Sequence, residues 1–178
     1  HAMSKRRREI PDHLEEDSTL GAQARVTFGQ DLYDLNVQQY CCAGLNFGYF
    51  YDQSPVMVYD DEAAPDYSMG SFTASTVPGC RAPHFWLEEG HSLYDALGPA
   101  YTLLCFKSEL SAEAKAFEVA AAKANMPLKI LDVSGHQEVP LEYRHHFAIV
   151  RADAHTVWRG DQVTSENAKH IVAKLCGF

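Results

Sequence analysis

The hydrophobic pattern of the second half of the chain predicts alternating strands and helices. Tyr101 to Phe106 is an apolar run of strand length, and Leu128 to Val133 is the next predicted strand. Between them, residues 111 to 124 are rich in alanine and other good helix formers, and Asn125 before Met126-Pro127 ends the helix. This order predicts a βαβ unit with parallel strands and a right-handed crossover.

The last part of the chain predicts an antiparallel hairpin followed by a helix. His146 to Arg151 and His155 to Trp158 are two short apolar runs separated by Ala-Asp-Ala. Thr164 or Ser165 is the expected cap of a final helix, whose apolar positions have the spacing i, i+3, i+4 and i+7: Ala168, Ile171, Val172 and Leu175. The order βαβ followed by ββα is that of a thioredoxin-like α/β domain.

A strand and a short helix are predicted just before this unit. Pro78-Gly79 and Pro83 keep the chain extended, and His84 to Leu87 is a short apolar run. Ser92 is the expected N-cap of the short helix, with Asp95 in the capping-box position. Gly98-Pro99 follows, and we expect the helix to end there.

The first part of the chain predicts a helix and a β-hairpin. Gln30 to Cys42 is compatible with a short helix. From Gly44 to Tyr51, every second residue is large and apolar, which predicts a strand with one aromatic face: Leu45, Phe47, Tyr49 and Tyr51. Val56 to Tyr59, after Ser54-Pro55, is the expected return strand of the hairpin.

Changes in composition divide the chain into three parts. Residues 1–16 begin with a His-Ala-Met tag remnant and continue as a charged segment, which we expect to be mobile or on the surface. Residues 17–71 hold the predicted helix and aromatic strand pair, and end in an acidic linker rich in Pro, Gly and Ser that starts at Asp60. Residues 72–178 are the predicted α/β domain.

Two stretches of this last part resemble a known family. V-P-G-C-R-A-P-H-F-W-L at residues 77–87, then S-L-Y-D-A-L-G and Y-T-L-L, resemble the start of the C-terminal thioredoxin-like domain of FAD-dependent aromatic hydroxylases, the phenol hydroxylase type of flavoprotein monooxygenase. F-A-I-V-R-A-D-A-H-T-V-W-R-G at residues 147–160 resembles the late hairpin of that domain, with Ala152 in place of an expected proline and Ala154-His155 at the turn. The aromatic run from Gly44 to Tyr51 resembles a strand near the end of the catalytic part.

The resemblance implies a fragment of an enzyme that uses FAD and NAD(P)H to insert one oxygen atom from O2 into a phenolic ring. The fragment would cover the catalytic FAD and substrate domains, take part in a homodimer and lie in the cytoplasm. We expect no catalytic, cofactor-binding or metal residues in it, because G-x-G-x-x-G and the G-D-A-A-H-type flavin segment are both absent from the sequence. The expected interface residues are aromatic: Phe47, Tyr49, Tyr51, Trp86 and Trp158.

The charge and hydropathy of the chain argue against two classes of partner. The net charge is −9, of which the four basic residues from Lys5 to Arg8 contribute +4, leaving −13 for the rest. An acidic body disfavours nucleic acid and anionic membrane surfaces. The sequence also lacks an apolar run of about 18 residues, so a transmembrane helix is not predicted.

Three other functions remain open at this stage. One is a stand-alone, redox-inactive thioredoxin-like binding module that serves as an adaptor. A second is a peroxiredoxin-like enzyme with Cys80 or Cys105 as nucleophile, although the five cysteines suggest free cytosolic thiols and none opens the helix after Phe106. A third, a metal site, would use some of the scattered histidines, which we expect instead to be solvated or hydrogen-bonded: His136, His145, His146 and His155.

Overall fold

A computed structural model describes residues 5, 8–107 and 112–178. The predicted tag remnant, His1 to Met3, and the predicted helix start at Ser111 lie outside these residues. The chain divides into two compact units. One contains the residues up to Phe47 together with Tyr67–Phe72, and the other contains Gly48–Asp66 together with Thr73–Phe178.

The first unit is built on helix α1, Thr19–Tyr40, and a short helix α2, Ala43–Phe47. Ser18 caps α1, because its side chain accepts a hydrogen bond from the Gly21 amide. The helix predicted from Gln30 is therefore present, but it begins earlier, at Thr19, because Ser18 caps it there.

The β-hairpin predicted at Gly44 to Tyr51 and Val56 to Tyr59 is wrong. Ala43–Phe47 is helical, and residues 48–59 form neither helix nor strand. The backbone groups of this region bond elsewhere: the Tyr51 amide to the carbonyl of Gly79 over 2.9 Å, and the Val58 amide to that of Val157 over 2.9 Å. Alternating aromatic residues predict a strand only where a neighbouring strand is available to pair with it.

The second unit contains a four-stranded sheet and two helices. The strands are β3, Tyr101–Cys105; β4, Leu128–Asp132; β5, Phe147–Arg151; and β6, Thr156–Gly160, in the order β4-β3-β5-β6. Strands β3 and β4 are parallel, and the pairs β3–β5 and β5–β6 are antiparallel. Helices α3, Ala112–Lys123, and α4, Ser165–Leu175, complete the order βαβ then ββα, which confirms the predicted α/β class.

Each face of this sheet has its own core. Leu103 and Ile149 pack with Phe117 of α3 and Ile171 of α4 on one face. Met57 is fully buried in the same cluster, and Tyr51 and Val58 pack against it, so the chain around Met57 lies on this face of the sheet. Whether residues 17–71 as a whole derive from a catalytic part stays a prediction.

The other face is covered by the chain that precedes β3. Strands β1, Trp86–Glu88, and β2, His91–Ser92, form a small antiparallel pair, close to the strand predicted from His84. The predicted capping box forms, because the Ser92 amide donates to Oδ2 of Asp95 over 3.1 Å. The predicted short helix is nevertheless a single turn, since the chain turns away at Gly98, whose amide donates to Oγ1 of Thr102.

Within the ranges that the structure describes, no helix combines the length and the apolar character needed to cross a bilayer.

Candidate functional site

The most extensive polar cluster of the sheet unit surrounds Arg159 on β6, whose side chain is only 2% exposed. Its Nε donates to Oδ2 of Asp60 over 2.7 Å, and its Nη2 donates to Oε2 of Glu62 over 2.7 Å. Its Nη1 donates to Oγ1 of Thr76 over 2.9 Å. All three nitrogens are hydrogen-bonded, so the buried cation is fully compensated.

Local backbone geometry brings the two acids to this position. The Glu62 amide donates to Oδ1 of Asp60 over 3.0 Å, a turn in which an aspartate bonds the backbone two residues on. Thr76 is held by a second bond, because its hydroxyl donates to the carbonyl of Glu142 over 2.8 Å and therefore presents a lone pair to Arg159. The segment predicted to be a linker is thus attached to the sheet at Asp60 and Glu62.

The charges in this cluster are fixed near neutral pH. Burial by itself raises the pKa of Asp60 and of Glu62, but the hydrogen bonds and the charge of Arg159 outweigh it and leave both pKa values below their ordinary ones. Burial lowers the pKa of Arg159, and the two carboxylates more than restore it, leaving it raised. None of the three groups is suited to exchange a proton at neutral pH.

A surface cavity of about 360 Å³ opens beside Arg159. Its polar lining includes two arginines and two glutamates: Glu62, Glu142, Arg144 and Arg159. Arg144 bonds the second carboxylate oxygen of Glu62, so both guanidinium groups are already paired. The cavity can hold a polar molecule, and its four charged side chains balance one another. Of the hydroxyls in its lining, that of Ser75 accepts from the Val77 amide, and that of Thr76 is bonded to Glu142 and Arg159.

A second polar cluster fixes the turn between β5 and β6. Oδ2 of Asp153 accepts from the hydroxyl of Tyr51 over 3.1 Å, and Oδ1 accepts from Nε of Arg151 over 3.1 Å. Burial raises the pKa of Asp153, but the Arg151 bond and the charges of His155 and Arg151 bring it down to about 2. This cluster holds Ala154 at a φ of 63°, a conformation that few residues other than glycine adopt.

The two cysteines considered as nucleophiles do not have the properties of one. Cys80 and Cys105 are buried. Burial raises the pKa of Cys80, and it raises the pKa of Cys105 from 9.0 to about 11. Because only the thiolate attacks, both sites are disfavoured for thiol chemistry, which weakens the peroxiredoxin-like alternative. No two of the five cysteines form a disulfide.

Three of the four histidines considered as metal ligands contact aspartates. Nδ1 of His145 lies 3.1 Å from Oδ2 of Asp161, and the His146 amide donates to Oδ1 of the same aspartate over 2.9 Å. His155 lies against Asp153. In the part of the chain that the structure describes, no group of three or more His, Cys, Asp or Glu residues has metal-binding geometry.

The predicted interface residues fall into two groups. Phe47, Tyr49 and Trp86 are exposed, and their role in an interface stays a prediction. Tyr51 is half-buried against His155 and Arg151. Trp158 is only 8% exposed and its ring lies 5.0 Å from that of Phe117, so it is a core residue with little surface left for a partner.

Comparison with known proteins identifies the relatives of the chain. No family model matches it. It is 30% identical to the FAD-dependent monooxygenase apdD of Emericella nidulans over 141 residues. The match covers 76% of this chain and 23% of that protein. It is 28% identical over 140 residues to the FAD-dependent monooxygenase opdD of Penicillium oxalicum, 76% of this chain and 26% of that protein.

Solved structures show the same relationship. The structure of native and K252c-bound RebC-10x matches 98% of this chain and 33% of its own, with a TM-score of 0.77 and 28% identity. The flavin-dependent monooxygenase PieE shares the fold, with a TM-score of 0.64 and 23% identity over 93% of this chain.

These matches confirm the resemblance: the chain is a relative of one segment of the FAD-dependent monooxygenases. It spans about a quarter of the length of the curated relatives it matches.

Proposed function

We propose that this chain is the C-terminal structural domain of an FAD-dependent aromatic monooxygenase and has no catalytic residues of its own. Its role is to cover the catalytic FAD and substrate domains and to contribute to a homodimer contact in the cytoplasm. The observation that carries the proposal is the match to RebC-10x, which takes in 98% of this chain but only 33% of the other. The parent enzyme would use NAD(P)H and an aromatic substrate of the phenol type.

The sheet unit supports a thioredoxin-like, redox-inactive assignment. Thioredoxin chemistry needs C-x-x-C just after the first core strand, at a helix N-terminus that lowers the thiol pKa. Here the residues that follow β3 are F-K-S-E-L-S-A, without a cysteine. The cysteine inside β3, Cys105, has a raised pKa.

The residues of this chain do not suit FAD binding. The sequence has no G-x-G-x-x-G turn to receive a pyrophosphate at a helix N-terminus. The guanidinium groups of Arg144 and Arg159 beside the cavity are paired with Asp60 and Glu62, and these carboxylates weaken their attraction for a phosphate. We therefore assign the flavin site to the part of the parent chain outside these residues.

The gene sequence upstream of the codon for Ser4 distinguishes this proposal from its main alternative. We expect an open reading frame to continue upstream of the codon for Ser4 for roughly 350 to 450 residues, the size of two more domains, with G-x-G-x-x-G near its start. The longer protein should retain FAD on gel filtration, and this chain alone should not. A stop codon and a ribosome-binding site directly upstream of Ser4 would contradict the proposal.

The alternative is a stand-alone, redox-inactive thioredoxin-like binding module. The observation that favours it is the exposed side chain of Trp86 beside a cavity of about 390 Å³ that Glu88, Glu89 and Glu138 also line. An aromatic ring among carboxylates suits a cationic side chain. Pull-down with a lysine-rich peptide, compared with a Trp86→Ala variant, tests this reading.

A further inference from the structure

We propose that one face of helix α1 is the surface on which the rest of the parent monooxygenase chain docks. This inference rests on the proposed function. The face, called here the outer stripe, consists of Ala22, Val26, Gly29, Tyr33 and Tyr40.

The outer stripe is apolar and exposed along the whole helix. Its members are spaced by four, three, four and seven residues, which places them on one side of an α-helix. Val26 is 74% exposed, Tyr33 61% and Tyr40 80%. A helix of 22 residues is about 33 Å long, so the stripe extends over several turns and is not an isolated side chain.

Helix α1 also has a second apolar face, which this chain already covers. Gly21 and Phe28 are buried, and Leu32 and Leu35 are half-buried. These residues lie on the side of the helix away from Val26 and Tyr33. Only three of the 22 residues of α1 are charged. A surface helix of a globular protein normally has a charged or polar face opposite its apolar one, whereas a helix that is apolar on both sides is normally covered on both.

Small residues within the stripe leave space for a partner. A methyl group added to Gly29 would meet nothing within 4 Å. An open apolar groove of about 310 Å³ runs beside Ala22 and Val26. A partner backbone or side chain can therefore approach the helix closely at these two places.

The covering group is best explained as the rest of the parent chain. The RebC-10x match takes in 98% of this chain, and two thirds of that longer chain lie outside the matched segment. A second copy of this chain is a weaker explanation. Two 33 Å helices packed side by side, with a contact strip about 10 Å wide, bury roughly 700 Å² in total, whereas a specific dimer needs about 1,200 Å² or more. The stripe carries no charge to attract an ionic partner.

Site-specific cross-linking in the longer protein tests the proposal. We would replace Tyr33 by the photoreactive p-benzoylphenylalanine, irradiate, and identify the cross-linked peptides by mass spectrometry. The expected cross-links join residue 33 to peptides that precede Ser4 in the same polypeptide. The same replacement at Asp34 is the matched control, because Asp34 is exposed and its carboxylate is bonded to Gln30 on the polar side of the helix.

Three results would overturn the proposal. Cross-links from residue 33 to peptides within residues 4–178 would indicate a second copy or an internal contact. Equal yields at positions 33 and 34 would show that the stripe is no more covered than the polar side. Absence of any longer reading frame would remove the proposed function itself, whereas a longer, FAD-containing protein without the cross-link would remove only the docking surface.

Thermal unfolding supplies a second test. Val26→Asp should lower the melting temperature of the longer protein by roughly 4 °C or more, because it buries a carboxylate against the partner. The same variant should leave this 178-residue chain within about 1 °C of the unmodified protein, since Val26 is exposed there. Asp34→Asn is the control in both proteins. An equal loss in both proteins, or no loss in either, would contradict the proposal.

Discussion

Nε of Arg159 donates to Oδ2 of Asp60 over 2.7 Å, and the two residues are separated by 99 positions in the sequence. The bond joins the edge strand β6 to a segment whose composition is that of a flexible linker. The Arg159 side chain is buried, whereas a third of the Asp60 side chain is exposed. Loss of the acid would therefore leave a buried charge without its partner, whereas loss of the arginine would leave a charge that water partly solvates.

Removal of Asp60 should destabilise the chain. We expect Asp60→Ala to lower the free energy of unfolding by about 2–3 kcal/mol, at or below the lower end of the range for a fully buried pair because Glu62 remains. Urea unfolding measures this change in the free energy of unfolding. Glu118→Gln is the control, since Glu118 pairs with Lys115 on the exposed surface of α3 and should change stability by less than about 0.5 kcal/mol. Equal losses in the two variants would contradict this view of Arg159.

Low pH should destabilise the folded chain, because it protonates carboxylates that are hydrogen-bonded in the folded state. The pKa values of Asp60, Glu62 and Asp153 are all lowered by folding, Asp153 to about 2. Their stabilisation is fully present above the ordinary pKa values of 3.8 and 4.5 and is lost as the pH falls through the lowered values. The free energy of unfolding should therefore decrease steadily from about pH 5 to pH 2.

The variant Asp153→Asn isolates one of these groups. It should flatten the dependence of stability on pH between about 4 and 2, because the unfolded state then takes up one proton fewer in that range. Urea unfolding at a series of pH values checks both statements. A slope that is unchanged in Asp153→Asn would show that this carboxyl has an ordinary pKa in the folded protein.

Two buried threonines should respond in opposite ways to the same substitution. Oγ1 of Thr156 is buried and has no hydrogen-bond partner, whereas Oγ1 of Thr102 accepts from the Gly98 amide over 2.8 Å. Thr156→Val should stabilise the protein by about 1 kcal/mol, and Thr102→Val should destabilise it by about 1–3 kcal/mol because the Gly98 amide loses its acceptor. Thermal unfolding of both variants measures the difference. A loss of stability in Thr156→Val would indicate that its hydroxyl is bonded, for instance to a water.

The glycine of the motif V-P-G-C-R has a structural reason to be glycine. Gly79 has a φ of 98°, and a side chain there would collide with the carbonyl oxygen of Tyr51. We expect Gly79→Ala to lower the free energy of unfolding by about 2 kcal/mol or more. Gly135→Ala is the matched control, because nothing lies within 4 Å of the added methyl and its φ is not in the positive range. Similar stability of the two variants would contradict the packing of the Tyr51 segment on Gly79.

The elements that sequence patterns predicted well are those with local causes. Strand β3 is an apolar run buried in the middle of the sheet, strand β4 at the sheet edge keeps Leu128, Ile130 and Leu131, and helix α4 has both a cap at Thr164 and a regular apolar face. The capping interaction between Ser92 and Asp95 was also predictable, but the length of the helix after it was not, because the turn at Gly98 depends on Thr102.

The features that the sequence patterns did not predict depend mostly on contacts between residues far apart in the chain. The alternating aromatics from Gly44 to Tyr51 predicted a strand, but the Tyr51 amide bonds Gly79, which no local pattern reveals. Nothing near Asp60 in the sequence indicates that its partner is Arg159. The exposed stripe of α1 was not predicted, because the predicted helix began at Gln30. Val26 comes before that position in the sequence and Tyr33 after it, so the two were not assigned to one helix.

Native alkylation should separate the cysteines by burial and dispose of the thiol-enzyme alternative. Cys41 is exposed, and Cys80 and Cys105 are buried with raised pKa values. With iodoacetamide near neutral pH we expect the exposed Cys41 to react in the folded protein, and Cys80 and Cys105 to react only after denaturation, because a buried thiol forms little thiolate. Peptide mass spectrometry measures each site over time. Alkylation of Cys80 in the folded protein at a rate independent of pH below 7 would reveal an activated thiolate, and the peroxiredoxin-like alternative would then replace the structural one for that loop.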